Sequence, residues 1–240
     1  MILGIYSDLH SNRPALRSMR QAFGHVDRWI SLGDSVGLFP SVNAVVDWQR
    51  RAEVLAVAGD HETHLLSGQA MTHSYTGNAA LEYQRSVISQ ENWDYLRGLA
   101  TTGVFEIDGI RFYLAHTASR DDWSHVEPDA ADFEKLFPDC DFALLGHTHL
   151  PSTRYGRNLV VLNPGSAGFP VDVARLPSAI RFDTTSGRWD LIRFEPSKVD
   201  MLRMLKDEWG TDGLVRYIEN DFRWEAHVHR GSEHAGQDRG

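Results

Sequence analysis

Three aspartates, Asp8, Asp34 and Asp60, stand 26 residues apart, each just after a short apolar run. Parallel strands need a crossover of a dozen or more residues, usually helical, and this repeat is long enough for one strand, one helix and two connections. The spacing predicts successive strand–helix units that each deliver a carboxylate to the same end of a sheet. The runs at 2–6, 28–32 and 53–58 are β-rich and read as buried strands. Between them, residues 13–23 place Leu16, Met19 and Phe23 at helical spacing, with Asn12 as cap and Pro14 in the first turn. Residues 41–51 form the second linking helix, with Val42, Val45 and Val46 inward.

Helical patterns at 77–88 and 90–98 predict a helical insertion over about residues 61–100. Strands at 104–107 and 110–115 flank Asp108-Gly109, a type I′ hairpin signal, and the second ends at His116. A buried strand at 142–145 ends at Gly146. Pairs at 153–155 with 159–162, and at 179–182 with 189–194 around Ser186-Gly187, give the second half an antiparallel character. The expected fold is α/β: two packed mixed β-sheets flanked by helices, a four-layer α-β-β-α sandwich. Residues 1–195 form the main domain, helices at 198–222 pack on it within a C-terminal segment of 196–225, and 226–240 hold too few large apolar residues to order.

At 240 residues the chain can bury one sizeable core. The formal charge of −9 argues against extended nucleic-acid binding but leaves room for a small phosphorylated substrate in a cleft with local cations. The single cysteine, Cys140, excludes an internal disulfide framework and a Cys-based zinc ribbon. No signal-peptide pattern opens the chain, and no apolar run approaches the roughly 18 residues of a membrane span. The expectation is a cytoplasmic protein without a membrane partner; a homo-oligomer is compatible with the sequence.

Asp8-Leu9-His10, Gly33-Asp34, Gly59-Asp60-His61, His116 and Gly146-His147-Thr148-His149 each close an apolar run. Singly, all but the more specific Gly146-His147-Thr148-His149 are better explained by a capping turn or a satisfied core histidine. In series they offer carboxylate and imidazole donors without thiolate, a set suited to manganese, iron, nickel, cobalt or zinc in a hydrolytic site. Alternation puts His147 and His149 on one face only if that segment is extended. His61-Glu62-Thr63-His64 is not a zinc-protease helix, because position 65 is Leu.

This order of motifs, with the third extended to Gly59-Asp60-His61-Glu62, resembles the calcineurin-like metallophosphoesterase superfamily. Gly33-Asp34-Ser35-Val36-Gly37, Ser119-Arg120-Asp121 and Asn163-Pro164-Gly165-Ser166 resemble its small bacterial and archaeal phosphodiesterase branch, over about residues 1–195. The resemblance implies two divalent transition-metal ions, manganese first among the candidates. Asp8, His10, Asp34 and His149 would hold one, and Asp34, Asp60, His116 and His147 the other, with Asp34 shared. It implies hydrolysis of a small phosphate ester, a diester by preference, through attack of a hydroxide bridging the ions. His61 would act as general acid or charge stabiliser. Asn12 is a candidate substrate contact, and Arg120, in the polar loop after His116, reads equally as a contact to a phosphate oxygen or as a surface-loop residue.

Asn163-Pro164-Gly165-Ser166 would support the His pair from behind. Trp123 could stack on an aromatic group, and His227, His229 and His234 read as solvated tail residues. Competing readings are a weakly catalytic or non-catalytic metal-binding scaffold and a protein Ser/Thr phosphatase; substrate choice would fall to loops at 35–41, 62–78 and 117–128.

The chain departs from the family at Asp60, where Asn is usual. Two divalent ions, three aspartates and a hydroxide then sum to zero, not +1. A unit charge about 5 Å from a phosphate, at an effective dielectric near 20, is worth roughly 3 kcal/mol before screening. The expectation is a tighter second metal and a shift from dianionic monoesters toward monoanionic diesters.

Overall fold

The computed structural model describes residues 1–71, 75–117 and 133–210. The elements run β1 (Ile2–Tyr6), α1 (Arg13–Phe23), β2 (Arg28–Ser31), α2 (Val42–Arg51), β3 (Leu55–Ala56), α3 (Asp60–Ser67), α4 (Tyr75–Val87) and α5 (Gln90–Arg97). They continue as β4 (Thr102–Ile107), β5 (Ile110–Ala115), β6 (Phe142–Leu144), β7 (Pro151–Tyr155), β8 (Val160–Pro164), β9 (Ser178–Asp183), β10 (Arg188–Arg193) and α6 (Lys198–Met204). The strands form two five-stranded mixed sheets, in the orders β10-β9-β1-β2-β3 and β4-β5-β6-β8-β7.

The 26-residue repeat does what its length predicts: β1, β2 and β3 pair in parallel, with Tyr6 opposite Ser31 and Ser31 opposite Ala56. The third strand is shorter than the apolar run at 53–58. Glu53 takes a left-handed φ of +48° at the turn out of α2, and the sheet pairing covers only two residues.

The second half of the chain corrects the antiparallel expectation. β5, β6 and β8 are parallel neighbours at the centre of the second sheet, with antiparallel β4 and β7 at its edges. The last hairpin, β9 and β10, leaves that sheet and completes the first by pairing with β1. Local turn signals reveal hairpins but cannot say which sheet a hairpin joins, since both sheets bury one apolar face against the same core. Asp108 and Gly109 have φ of +53° and +77°, as a type I′ turn requires.

Between the sheets lie Leu3, Ile5, Ile30, Leu32 and Val57 from the first, facing Ile107, Phe112, Leu114, Leu144 and Leu162 from the second. Phe182 of β9 meets Phe112 at 5.3 Å and Phe142 at 4.9 Å, both edge-on, the favoured geometry for aromatic pairs. Outside the first sheet, Leu16, Met19 and Phe23 of α1 and Val45 of α2 cover Tyr6. The predicted cap holds: Asn12 Oδ1 accepts from Ala15 N at 3.0 Å, with Pro14 in the first turn. The insertion packs Leu65, Leu81 and Leu96 against Val42 and Val46.

After β10, α6 continues through one wide turn at Leu205–Trp209. Glu208 forms an ion pair with Arg13 at 2.7 Å and accepts from Ser41 Oγ at 2.6 Å, tying this segment to the entrances of α1 and α2. The remainder of the predicted C-terminal helices and the tail at 226–240 lie outside the described residues. Among the described residues no helix is long and apolar enough to cross a membrane.

Truncating Phe182 to Ala empties the centre of the inter-sheet core and is expected to cost about 3–5 kcal/mol. Leu202, on the exposed side of α6, should tolerate Ala within about 0.5 kcal/mol. Urea unfolding of both variants beside the wild type checks the contrast.

Candidate metal centre

All seven predicted ligands converge beyond the C-terminal ends of strands, where open α/β sheets place their sites. Asp8 and His10 follow β1, Asp34 follows β2, and Asp60 opens α3 after β3. His116 follows β5, and His147 and His149 follow β6.

The chain reaches this geometry by leaving the extended conformation abruptly. Asp8, His10, Asp34, His147 and His149 have φ of +54°, +52°, +52°, +68° and +58°. Left-handed backbone costs an L-residue roughly 1–2 kcal/mol, so five cases in one cleft need strong local restraint. Main-chain bonds supply it: Asp8 N donates to Gly33 O at 3.0 Å, His10 N to Asp34 O at 2.9 Å and Gly168 N to Asp8 O at 3.0 Å. His147 N donates to Asp8 Oδ2 at 3.1 Å. The His pair is therefore not an extended strand with both rings on one face. Each ring turns to a different group of partners.

One group comprises Asp34, Asp60, His116 and His147, a second Asp8, His10 and His149, and a third, overlapping both, His10, Asp34 and His61. In the first, His116 Nε2 lies 3.1 Å from Asp60 Oδ1 and 3.3 Å from Asp34 Oδ2, and His147 Nδ1 lies 3.2 Å from Asp60 Oδ1. In the second, His149 Nε2 lies 3.1 Å from Asp8 Oδ1 and from His10 Nε2. Donors about 2.1 Å from a common ion stand roughly 3–3.5 Å apart, so these spacings suit a shared cation. Asp34 sits between the groups: its Oδ2 is also 4.0 Å from His10 Nε2 and 3.8 Å from His61 Nε2.

The rings are aimed from behind. Nδ1 of His10, His116 and His149 lies 3.1, 2.7 and 2.6 Å from the carbonyl oxygens of Val36, Leu32 and Phe169. An Nδ1–H donated to a carbonyl leaves the Nε2 lone pair facing the cleft, the usual arrangement of a metal-ligating imidazole. Asp8 Oδ1, Asp60 Oδ1 and His116 Nε2 are buried without a hydrogen-bond partner. Orphaned buried polar atoms are costly, and here they all face the same small volume. By this test the residues fit divalent cations.

The electrostatics agree. Burial pushes the Asp34 carboxyl well above the usual range, aided by the charges of Asp60 and Glu62 and opposed by His116. Against the same burial penalty, His149, His116 and His10 hold Asp8 well below that range, and the adjacent imidazoles of His116 and His147 hold Asp60 low. His116 overcomes its burial through Asp34, Asp60 and Asp8 and holds a proton well above the usual imidazole range. A carboxylate cluster that retains a proton this strongly attracts cations.

His61 presents Nε2 toward Asp34 and packs its Nδ1 edge on Gly37, whose φ of +91° and missing side chain leave room for the ring. Burial lowers its pKa to about 4. The mouth is formed by Asp60, His147 and His149, which remain partly exposed, while Asp8 and His10 form the floor.

Asn12 does not meet the expectation of a substrate contact. It is 1% exposed, and its amide is engaged by the cap of α1 and by a 2.8 Å bond to Gly168 O. Asn163 supports the His pair as expected, donating to Gly146 O at 2.8 Å and Thr148 Oγ1 at 3.1 Å. Arg120 and Trp123 lie outside the described residues.

The supporting roles of two residues escaped the sequence reading. Gln84 of α4 is fully buried, accepts from Gly37 N and donates to Phe39 O, fixing the loop beneath His61. Its signal is a polar residue on the inward register of Ala80 and Leu81. Glu62 is fully buried beside Asp34; its signal is its place three residues after the Gly59 cap.

The chain matches the model of the calcineurin-like phosphoesterase superfamily domain over residues 1–187. Protein MJ0912 of Methanocaldococcus jannaschii is 26% identical over 81% of this chain and 87% of its own length. A metallophosphoesterase from Sphaerobacter thermophilus superposes with a TM-score of 0.74 at 23% identity, covering 90% of this chain and 97% of that one. Protein PH1004 of Pyrococcus horikoshii also superposes at 0.74, with 18% identity and coverage of 90% and 96%. These two structures bear on the fold alone.

The low pKa of His61 makes a directional forecast for the metal-free protein. An unfolded imidazole binds its proton near pH 6.5, whereas the folded ring resists until about pH 4. The stability contributed by neutral His61 is complete above pH 6.5 and is lost as pH falls through that window. His61→Asn should flatten this decline by up to about 3 kcal/mol, measured as the difference in urea unfolding between the two ends of the window.

Proposed function

From the premise that this chain belongs to the calcineurin-like phosphoesterase superfamily, we propose that it is a dinuclear metal-dependent phosphoesterase that prefers small phosphodiesters. The observation that carries the reading is the meeting of two donor groups at Asp34, whose Oδ2 faces His116 on one side and His10 on the other. Asp8, His10 and His149 would hold one ion and Asp60, His116 and His147 the second, with Asp34 shared. Manganese, iron, nickel, cobalt and zinc suit these donors, with manganese the first to test. Bound divalent ions would supply Lewis acidity and bring the pKa of a coordinated water toward neutrality.

The chain's own groups do the rest. The partly exposed edge formed by Asp60, His147 and His149 admits the phosphate, and the dry floor keeps the field between site and anion strong. His61, with Nε2 turned to the cleft, is placed to stabilise or protonate the leaving oxygen. The third carboxylate, Asp60, removes one positive charge from the site relative to an amide there, which favours a monoanionic diester over a dianionic monoester. The free, buried Cys140 accords with a reducing compartment such as the cytoplasm.

Hydrolysis of bis(p-nitrophenyl) phosphate and p-nitrophenyl phosphate, with metal content measured on the same preparation, tests this reading. A manganese-dependent rate with a higher kcat/KM on the diester is expected. Two bound ions with no turnover of either ester would favour the scaffold reading. His61→Ala should lower kcat by about 10²–10⁴ with the metals retained. Asp60→Asn should raise the monoester-to-diester ratio of kcat/KM, and an unchanged or lower ratio would reject the charge argument.

A further inference from the structure

Glu62 is wholly buried, yet its carboxylate belongs to no ligand group. It is engaged entirely by main chain. Oε2 accepts from Asp34 N at 2.9 Å and from Gly59 N at 2.8 Å. Oε1 accepts from Ser35 N at 2.7 Å and from Val36 N at 3.3 Å. The bond to Gly59 is the half of a capping box that an N3 glutamate makes at a helix N-terminus, a glycine cap having no side chain to return it. Capping α3 does not require the other three, which reach across to the turn after β2.

One oxygen thus staples the turn that carries Asp34 to the turn that carries Asp60. A return bond runs from His61 N to Asp34 Oδ1 at 2.9 Å. The two turns meet at glycines. A Cβ on Gly33 would stand 2.7 Å from Gly59 N and 2.9 Å from His116 Nδ1, and one on Gly59 would overlap Asp34 Oδ1. With no Cβ on either glycine to hold the turns apart, the clamp governs the separation.

Residue type matters here. Glutamine would fill the same volume without adding an anion beside Asp34 and Asp60, yet glutamate is present. A carboxylate accepts at both oxygens, whereas an amide must point its NH₂ at one pair of these N–H groups in either flip. We propose that Glu62 is a positioning residue of the metal centre, setting the separation of the Asp34 and Asp60 carboxylates and hence the register of one donor group against the other. This rests on the two-ion reading of the site. Glu62 touches neither ions nor substrate and acts through Asp34 and Asp60.

The test is titration of metal-free wild type, Glu62→Gln and Glu62→Asp with Mn²⁺, followed by electron paramagnetic resonance. Circular dichroism and thermal midpoints verify folding. In wild type the second equivalent should convert the isolated-ion signal into that of a coupled pair. In Glu62→Gln the first ion, held by Asp8, His10 and His149, should bind within about threefold of wild type, and the second should weaken by about tenfold or more. Glu62→Asp keeps the carboxylate with a shorter reach; it should fall between the two, and it decides the matter if the Gln variant does not fold. A coupled pair forming in the variants at wild-type metal equivalents, or equal weakening of both ions, overturns the proposal.

A wild type that takes up only one Mn²⁺ refutes the two-ion reading instead. Amide exchange in the metal-free protein then tests the clamp alone. Glu62→Gln should speed exchange at Asp34, Ser35 and Gly59 by about tenfold or more relative to amides of α1, because a buried acceptor is lost. Unchanged exchange at those three positions would refute the clamp.

Discussion

Asp34 concentrates the physics of this molecule. Its carboxylate is 2% exposed, lies among Asp8, Asp60 and Glu62, and is approached by three imidazoles within about 4 Å. Burial of one such anion is unfavourable, and burial of several together is tolerable only where opposite charge balances them. Protonated imidazole can do this, as the raised affinity of His116 for its proton indicates. Divalent cations do it more completely.

Holding that arrangement requires a rigid frame, because the ligand-bearing turns are strained. Five ligands in left-handed backbone would relax on an isolated loop. Here each sits two to five residues beyond a strand that lies near the middle of a sheet or is paired to such a strand. The two sheets grip each other through Phe112, Phe142 and Phe182. The return of β9 to pair with β1 closes the frame, and Ser166, on the approach to β9, donates to Asp8 O at 2.8 Å. Stability and chemistry therefore share residues: the turns that carry ligands also join the layers.

Much of this architecture was legible in the chain. The spacing of Asp8, Asp34 and Asp60 required crossovers and hence parallel strands, and the Asp108-Gly109 turn declared its hairpin through local backbone chemistry. Helix α1 ran as read because Asn12, Pro14 and the Leu16–Met19–Phe23 stripe all agree. Agreement failed where two features pulled on one residue. Asn12 suits both a cap and a substrate contact, and burial under Gly168 selects the first. His147 and His149 alternate in sequence as a strand would, but their backbone is left-handed and their partners differ.

The sequence by itself determined which donors exist, that they end apolar runs, and that the first three emerge from consecutive strand–helix units. Those properties follow from local patterning and from the minimum length of a parallel crossover. Only the tertiary structure decided which donors face one another, which hairpin completes which sheet, and that Glu62 and Gln84 serve main chain instead of solvent. Such facts depend on contacts between segments far apart in the chain, as Ser166 and Asp8 are separated by 158 residues. No local propensity encodes them, because the same apolar face or carboxylate is compatible with many partners until packing leaves room for one.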